Sequence, residues 1–204
     1  MQYSDVYHGP GDLDPASKVI GMTVTGSAAL EIVPTASAVL IEARSSVGKI
    51  SFGTTEITGQ FRGRVVDERL DSLLEGSAVV PVASLTSGSA LYDNELRTRM
   101  NAQRFPEFGA SLGSVSDLGS GRLAVKGDLT IHGTTRPQDC TAVVEVTERD
   151  PDCFAVVLSG TAVVDMRDYD IKLPSILMLR IYPDVTVRFR ITAASAPVAT
   201  EVAQ

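Results

Sequence analysis

No stretch of the 204-residue chain strings together the roughly 20 apolar residues a membrane-spanning helix needs, so no integral membrane segment is expected. Basic residues are also scarce: 18 Lys and Arg against 25 Asp and Glu leave a net charge of −7. That balance excludes a general binder of nucleic acid or anionic membrane, whose affinity would come from a basic surface. A local basic patch stays open, because Arg97, Arg99 and Arg104 lie close together. The opening, MQYSDVYHGPGDLDPASK, lacks a basic region followed by an apolar one, so a secretory signal is not expected and the cytoplasm is the expected compartment.

Metal-binding and redox residues are few. Cys140, Cys153, His8 and His132 fit no zinc spacing. A hairpin turn over 148–152 would set Cys153 opposite about Val146, leaving Cys140 about 20 Å further along its strand. A disulfide needs Cα atoms within about 7 Å, so two reduced thiols are expected. A calcium loop starting at Asp165, with Asp168 and Asp170, would need an oxygen ligand at Arg167, glycine at Asp170 and glutamate at Ile176. None fits, and Asp165 is expected to pair with Arg167 or Arg136. Val47-Gly48-Lys49 lacks the upstream glycine and the following Ser or Thr of a phosphate loop and reads as a turn. No spacing gives His132 a nucleophile or an orienting carboxylate. Neither catalytic residues nor a metal site are expected, and the protein is not expected to be an enzyme.

What is present is a globular composition: 44% hydrophobic and 21% charged residues suit an ordinary core rather than a disordered chain. The period-two signature of half-buried strands recurs. Ile57, Gly59, Phe61, Gly63 and Val65 alternate with Thr58, Gln60, Arg62 and Arg64. Leu123, Val125, Gly127, Leu129 and Ile131 alternate with Ala124, Lys126, Asp128, Thr130 and His132. Val185, Val187, Phe189 and Ile191 alternate with Thr186, Arg188, Arg190 and Thr192. Further strands are expected over 38–44, 76–84, 108–115, 141–147 and 154–164, with a hairpin turn at 119–121.

Residues 89–111 stand apart with a helical signal. Asp93 is expected as N-cap, Leu96 and Met100 share one face four residues apart, and Arg97, Arg99 and Arg104 take the rest. Arg104 would suit the C-terminal end of the helix dipole, and Phe105-Pro106 would stop the helix. Two placements stand open: a helix laid across an all-β domain, or a linker between two half-sheets. Residues 1–27 read as an appendage, in which 19–25 form an edge strand or an extended arm; 28–194 read as the domain and 195–204 as a tail.

Many strands on short turns with one helix near 93–104 imply a sandwich or an up-and-down barrel. An eight-stranded barrel is either filled by its side chains or left open for one small ligand. Glycines at 59, 63 and 127 on apolar faces fit either a sharp bend at a barrel corner or room for a guest.

Four segments carry a resemblance to a known family. YDNELRTRMNAQRFPEFGAS resembles its D-x-x-L-R … F-P-x-x stretch; GDLTIHGTTRP (127–137) resembles G-x-L-T-I-H-G-x-T-[RK]-P. GTAVVDMRDYDI (160–171) resembles G-x-A-x-I-D-R-x-D-[FY]-G-I, and PDVTVRFRITA (183–193) resembles the closing strand. Over about 29–193 the chain thus resembles the YceI-like family of lipocalin-like, polyisoprenoid-binding domains. In the opening, Leu30, Val33 and Ala36 stand where the family commonly has Trp, Asp and His, and Asp170 stands where it has glycine.

The resemblance implies an all-β, antiparallel lipocalin-like barrel of about eight or more strands around an apolar tunnel. It implies non-enzymatic binding, transport or storage of a long-chain apolar molecule, an isoprenoid quinone or polyprenyl lipid. The expected lining is Ile57, Gly59, Phe61, Val65, Leu96, Met100, Phe105, Val125, Gly127, Leu129, Ile131, Val187 and Phe189, with Arg97 and His132 as candidates for holding a head group. Beyond that guest no cofactor is expected; a homodimer is kept open. The alternative is a filled barrel acting as a protein-interaction module.

Overall fold

The computed structural model describes residues 25–66, 69–150, 153–171, 175–176 and 179–195. The expected appendage and tail therefore fall outside the described residues, apart from residues 25–27, which open the first strand, and residue 195. The described strands are β1 (Thr25–Ile32), β2 (Ala38–Ser45), β3 (Gly48–Thr54), β4 (Thr58–Val66), β5 (Arg69–Pro81), β6 (Glu107–Gly119), β7 (Arg122–Ile131), β8 (Thr134–Asp150), β9 (Cys153–Asp165), β10 (Ser175–Ile176) and β11 (Leu179–Ala194). A helix, α1 (Ala90–Arg99), stands between β5 and β6.

Eight strands pair antiparallel in the order β1-β4-β5-β6-β7-β8-β9-β11, and the ring closes where Glu31 meets Ala194 and Ile32 meets Ala193. β2 and β3 are two extra strands that prolong the wall. β2 pairs with β11 from Arg190↔Ala38 to Ile181↔Ser45, taking over where β1 leaves off. Ser37 marks that handover: its buried hydroxyl donates to the Val33 carbonyl (2.8 Å) and accepts from the Thr192 amide (3.0 Å). The expected all-β barrel with one short helix is the fold observed.

The alternation read from the sequence explains which side of the wall faces in. Val185 and Ile191 are buried while Arg188 and Arg190 point to solvent. Tight turns follow backbone chemistry. Gly119 pairs with Arg122 across Ser120 and Gly121, and Ile131 pairs with Thr134 across His132 and Gly133. Both central residues of each turn have positive φ, as two-residue hairpin loops of the primed type require.

Several expectations are corrected. Asp93 is not the N-cap: α1 starts after Ser89, four residues earlier, and Asp93 sits buried in its first turn. The helix ends at Arg99, before Phe105-Pro106 is reached. Asn101 adopts φ 46, and the amides of Asn101 and Ala102 bond back to the carbonyls of Thr98 (3.1 Å) and Arg97 (3.0 Å). That pair of bonds is a Schellman stop, with asparagine in the left-handed position usually held by glycine. Arg104 consequently lies beyond the helix, its guanidinium 5.1 Å from the Phe105 ring. Residues 48–54, read in part as a turn, form strand β3. Asp150, not Val146, pairs with Cys153, so Cys140 is ten residues from that pair along β8, about 33 Å at strand rise. Cys140 is a free thiol.

The glycines also change meaning. A Cβ at Gly127 would lie 2.0 Å from the Ser111 carbonyl oxygen, and one at Gly59 2.1 Å from that of Ser77. Backbone approach, not space for a guest, demands these two glycines. At Gly76 and Gly160 the vacancy of a side chain is filled by an aromatic ring from the paired strand, Phe61 and Phe189 respectively.

Candidate ligand-binding cavity

The barrel interior holds two buried clusters. One gathers Leu30, Ile32, Ile57, Phe61, Ala142, Val156, Leu158, Ile191 and Ala193. The other, toward α1, gathers Val82, Met100, Ile131, Val164, Tyr169 and Ile171, with Leu96 and Phe108 packed against it. Within the first cluster only about 10 Å³ is left, beside Leu30, Phe61 and Val156. Between the clusters opens a cavity of about 320 Å³. That volume lies within the range of small-molecule sites.

Its wall is built by inward-facing strand positions. β7 supplies Val125, Gly127, Leu129 and Ile131, and β11 supplies Val185, Val187, Phe189 and Ile191. β4 gives Phe61, and Ile57 lies just before it; β2 and β3 add Val39, Ile41, Ala43, Ile50 and Phe52. α1 completes the wall with Tyr92, Glu95, Leu96 and Arg99, followed by its cap residue Met100.

Of the lining expected from the sequence, Ile57, Phe61, Leu96, Met100, Val125, Gly127, Leu129, Ile131, Val187 and Phe189 share this cavity. Gly59 and Phe105 do not lie on its wall. The Phe105 ring packs against the β7–β8 turn, where a Cβ at Gly133 would meet it at 2.4 Å, and it meets the His132 ring edge-on with centroids 4.7 Å apart. Val65 pairs with Gly26 and Leu70, and its side chain lies outside the described residues.

Arg97 and His132, the head-group candidates, are off the wall as well. Arg97 donates from Nη2 to the Ala83 carbonyl (3.2 Å) and from Nη1 to Asn94 Oδ1 (3.4 Å). His132, at φ 52, is a turn residue whose ring is engaged with Phe105. The polar groups that do reach the cavity from α1 are Tyr92, Glu95 and Arg99. Their spacing of three and four residues, in phase with Leu96 and Met100, is the signal by which the sequence could have shown them. The β2–β3 contribution was equally legible in the alternation of Ile50 and Phe52 with Lys49 and Ser51.

Two further groups define the chemistry. Cys140 lines the cavity half-buried, and burial pushes its thiol above its ordinary value, with Asp139 adding to the effect. A thiol so raised stays protonated and unreactive. Asp93 anchors the segment that leads into α1. Its carboxylate accepts from the Ser87 hydroxyl (2.6 Å), the Ser87 amide (2.7 Å) and the Thr86 hydroxyl (2.9 Å). These bonds, those from Ser87 foremost, hold the Asp93 carboxyl below the usual carboxylate range. Asp165 pairs with Arg167, as one of its two expected partners, through Oδ2 and Nη2 at 2.5 Å. Among the described residues no group of His, Cys, Asp and Glu could hold a metal ion.

A barrel closed by a two-pair seam, with a splayed strand pair and one helix beside an apolar cavity, matches a known domain. The YceI-like domain aligns with residues 30–193. The chain belongs to the YceI-like family.

Among relatives, a UPF0312 protein of Shewanella baltica (strain OS185) is 27% identical over 128 residues, covering 59% of this chain and 67% of its own. Another UPF0312 protein, from Shewanella sp. (strain ANA-3), is 25% identical over 168 residues, covering 76% and 88%. Of solved structures, BcnA of Burkholderia cenocepacia superposes with a TM-score of 0.66 at 13% identity, over 79% of this chain and 98% of that one. A polyisoprenoid binding domain from Saccharophagus degradans, implicated in plant cell wall breakdown, does so with 0.62 at 15% identity, over 83% and 99%. At such identities the likeness is one of fold. The YceI-like barrel and its apolar wall together suit an apolar ligand in general. Among the described residues no helix is long and apolar enough to cross a membrane.

Departures from the family's usual residues have visible consequences. Leu30, where Trp is common, is fully buried in the first cluster. Asp170, where glycine is usual, sits at φ 57 as the cap of the 3₁₀ turn Met166–Tyr169. The left-handed backbone explains the glycine, and aspartate is among the residues that tolerate that region.

Proposed function

We propose that this YceI-like protein binds a long-chain apolar molecule, an isoprenoid quinone or polyprenyl lipid, in the cavity between its two core clusters, and carries or stores it without chemical change. The observation that carries this reading is the cavity of about 320 Å³ walled for the most part by Val, Ile, Leu, Phe and Met. Each methylene moved there from water is favoured by about 0.8 kcal/mol, so a flexible prenyl chain gains affinity along its length without polar partners. The wall residues of β7, β11 and α1 are the proposed contacts, Ile131, Val187, Phe189 and Leu96 among them. An uncharged, unreactive Cys140 is compatible with an inert container.

The test is organic extraction of the purified protein followed by mass spectrometry, with native mass measurement to report ligand and subunit number together. A co-purifying prenyl lipid, or uptake of added polyprenyl quinone by lipid-free protein, is expected. Protein that is empty as purified and takes up no quinone would sink the reading and favour an interaction module instead.

A further inference from the structure

On α1, Tyr92, Glu95 and Arg99 stand on the face that carries Leu96 to the cavity, so a mostly apolar wall carries a charged pair there. Arg99 Nε donates to Glu95 Oε1 at 2.5 Å, one helical turn apart. The Arg99 and Glu95 side chains keep 37% and 29% of their exposure, which marks the place where the cavity meets water. Only one other lining residue is charged: Asp128, an acid that lies between Gly127 and Leu129 in the alternation and is exposed. The described wall therefore holds a single cation, and a carboxylate already neutralises it. Hydrogen-bonding capacity remains: the Tyr92 hydroxyl, the Arg99 terminal nitrogens and Glu95 Oε2 make no hydrogen bond among the described residues.

We infer that Glu95 is a specificity-determining residue: by holding Arg99 it reserves the cavity's open end for an apolar chain with an uncharged polar head, a hydroxyl or a ring carbonyl, and turns away the same chain ended by a phosphate or carboxylate. This rests on the cavity being the ligand site, as proposed above. An uncharged head finds donors in Tyr92 and Arg99 and an acceptor in Glu95, all of which keep their ion pair intact. An anionic head must either lie beside the Glu95 carboxylate or displace it from Arg99, and like charges at such range repel strongly where water is partly excluded.

The test compares geranylgeraniol with geranylgeranyl phosphate as ligands of the lipid-free full chain, in wild type and in Glu95→Gln. The alcohol is expected to bind the wild type more tightly than the phosphate by about tenfold or more. Glu95→Gln is expected to raise phosphate affinity about tenfold and so to narrow the preference for the alcohol, because the charge that repels the phosphate is removed. The double variant Glu95→Gln/Arg99→Gln, which removes both charges, should lose that phosphate gain, with circular dichroism and a wild-type-like thermal midpoint reporting that the barrel is folded. Phosphate binding as tight as alcohol binding in the wild type, or no phosphate gain in Glu95→Gln, overturns the role given to Glu95 and leaves the cavity reading standing. Binding of neither ligand overturns both.

Discussion

The cluster around Leu30 is built largely from positions on β1, β4, β8, β9 and β11, the cluster toward α1 takes only Ile131 and Val164 of its buried members from strands, and an open cavity separates the two. The packed cluster around Leu30 leaves about 10 Å³, while the cavity beside the α1 cluster measures about 320 Å³. Around Leu30 the ring of eight strands closes directly, β1 against β11, and side chains from opposite walls meet across it. Toward α1 the ring is prolonged by β2 and β3, and α1, between β5 and β6 in the chain, brings Tyr92, Glu95, Leu96 and Arg99 to the cavity wall.

Truncation in the packed region should have the largest effect on stability. Leu30→Ala removes a fully buried side chain and is expected to cost about 2–5 kcal/mol in urea or thermal unfolding, with uptake of ligand by the folded fraction unchanged. An equal effect on ligand uptake would mean that the two regions are one. Enlargement sharpens the contrast. Ala142→Leu, in the packed cluster, should cost about 1–3 kcal/mol, whereas Ala162→Leu, on the cavity wall, should cost less than about 1 kcal/mol and weaken binding of a prenyl chain. Similar stability losses for the two variants would show the cavity to be already full.

The smallest effect concerns the segment before α1 and is read by pH. The folded-state pKa of Asp93 lies below its ordinary 3.8, so its contribution to stability is present above that value and fades as pH falls through and below it. Asp93→Asn should therefore be less stable than wild type at neutral pH, with the gap narrowing in acid, as followed by denaturant unfolding from neutral pH down to about two units below the carboxylate midpoint. A gap that does not change with pH would mean that the geometry of the Ser87 and Thr86 bonds matters, and the charge does not.

Much of this was legible in the chain. The alternations in β4, β7 and β11 located the wall, and seven of the ten expected lining residues that meet in the cavity are inward-facing strand positions, which in a closed sheet have nowhere else to go. The resemblance carried by the four motifs covers the same span as the family match at 30–193. What escaped reading depended on three-dimensional neighbours. Gly127 read equally as a bend or as room for a guest because sequence does not show that the Ser111 carbonyl lies across it. Phe105 looked like lining because it is apolar, but the turn at His132 and Gly133 claims it. Arg97 was favoured over Arg99 on motif position, although helical phase with Leu96 and Met100 points to Arg99. The end of α1 was assigned to proline because an asparagine in a left-handed stop has a weaker sequence signature than glycine.

The Schellman stop at Asn101 and the Asp93 clasp give α1 a property that no other part of the wall shares. Every strand of the barrel depends on neighbours for its amides, so moving one would strand polar groups on both sides. Between its first turn and its Schellman stop the helix satisfies its amides internally, so a side chain on it can be exchanged without touching the hydrogen-bond ladder of the barrel.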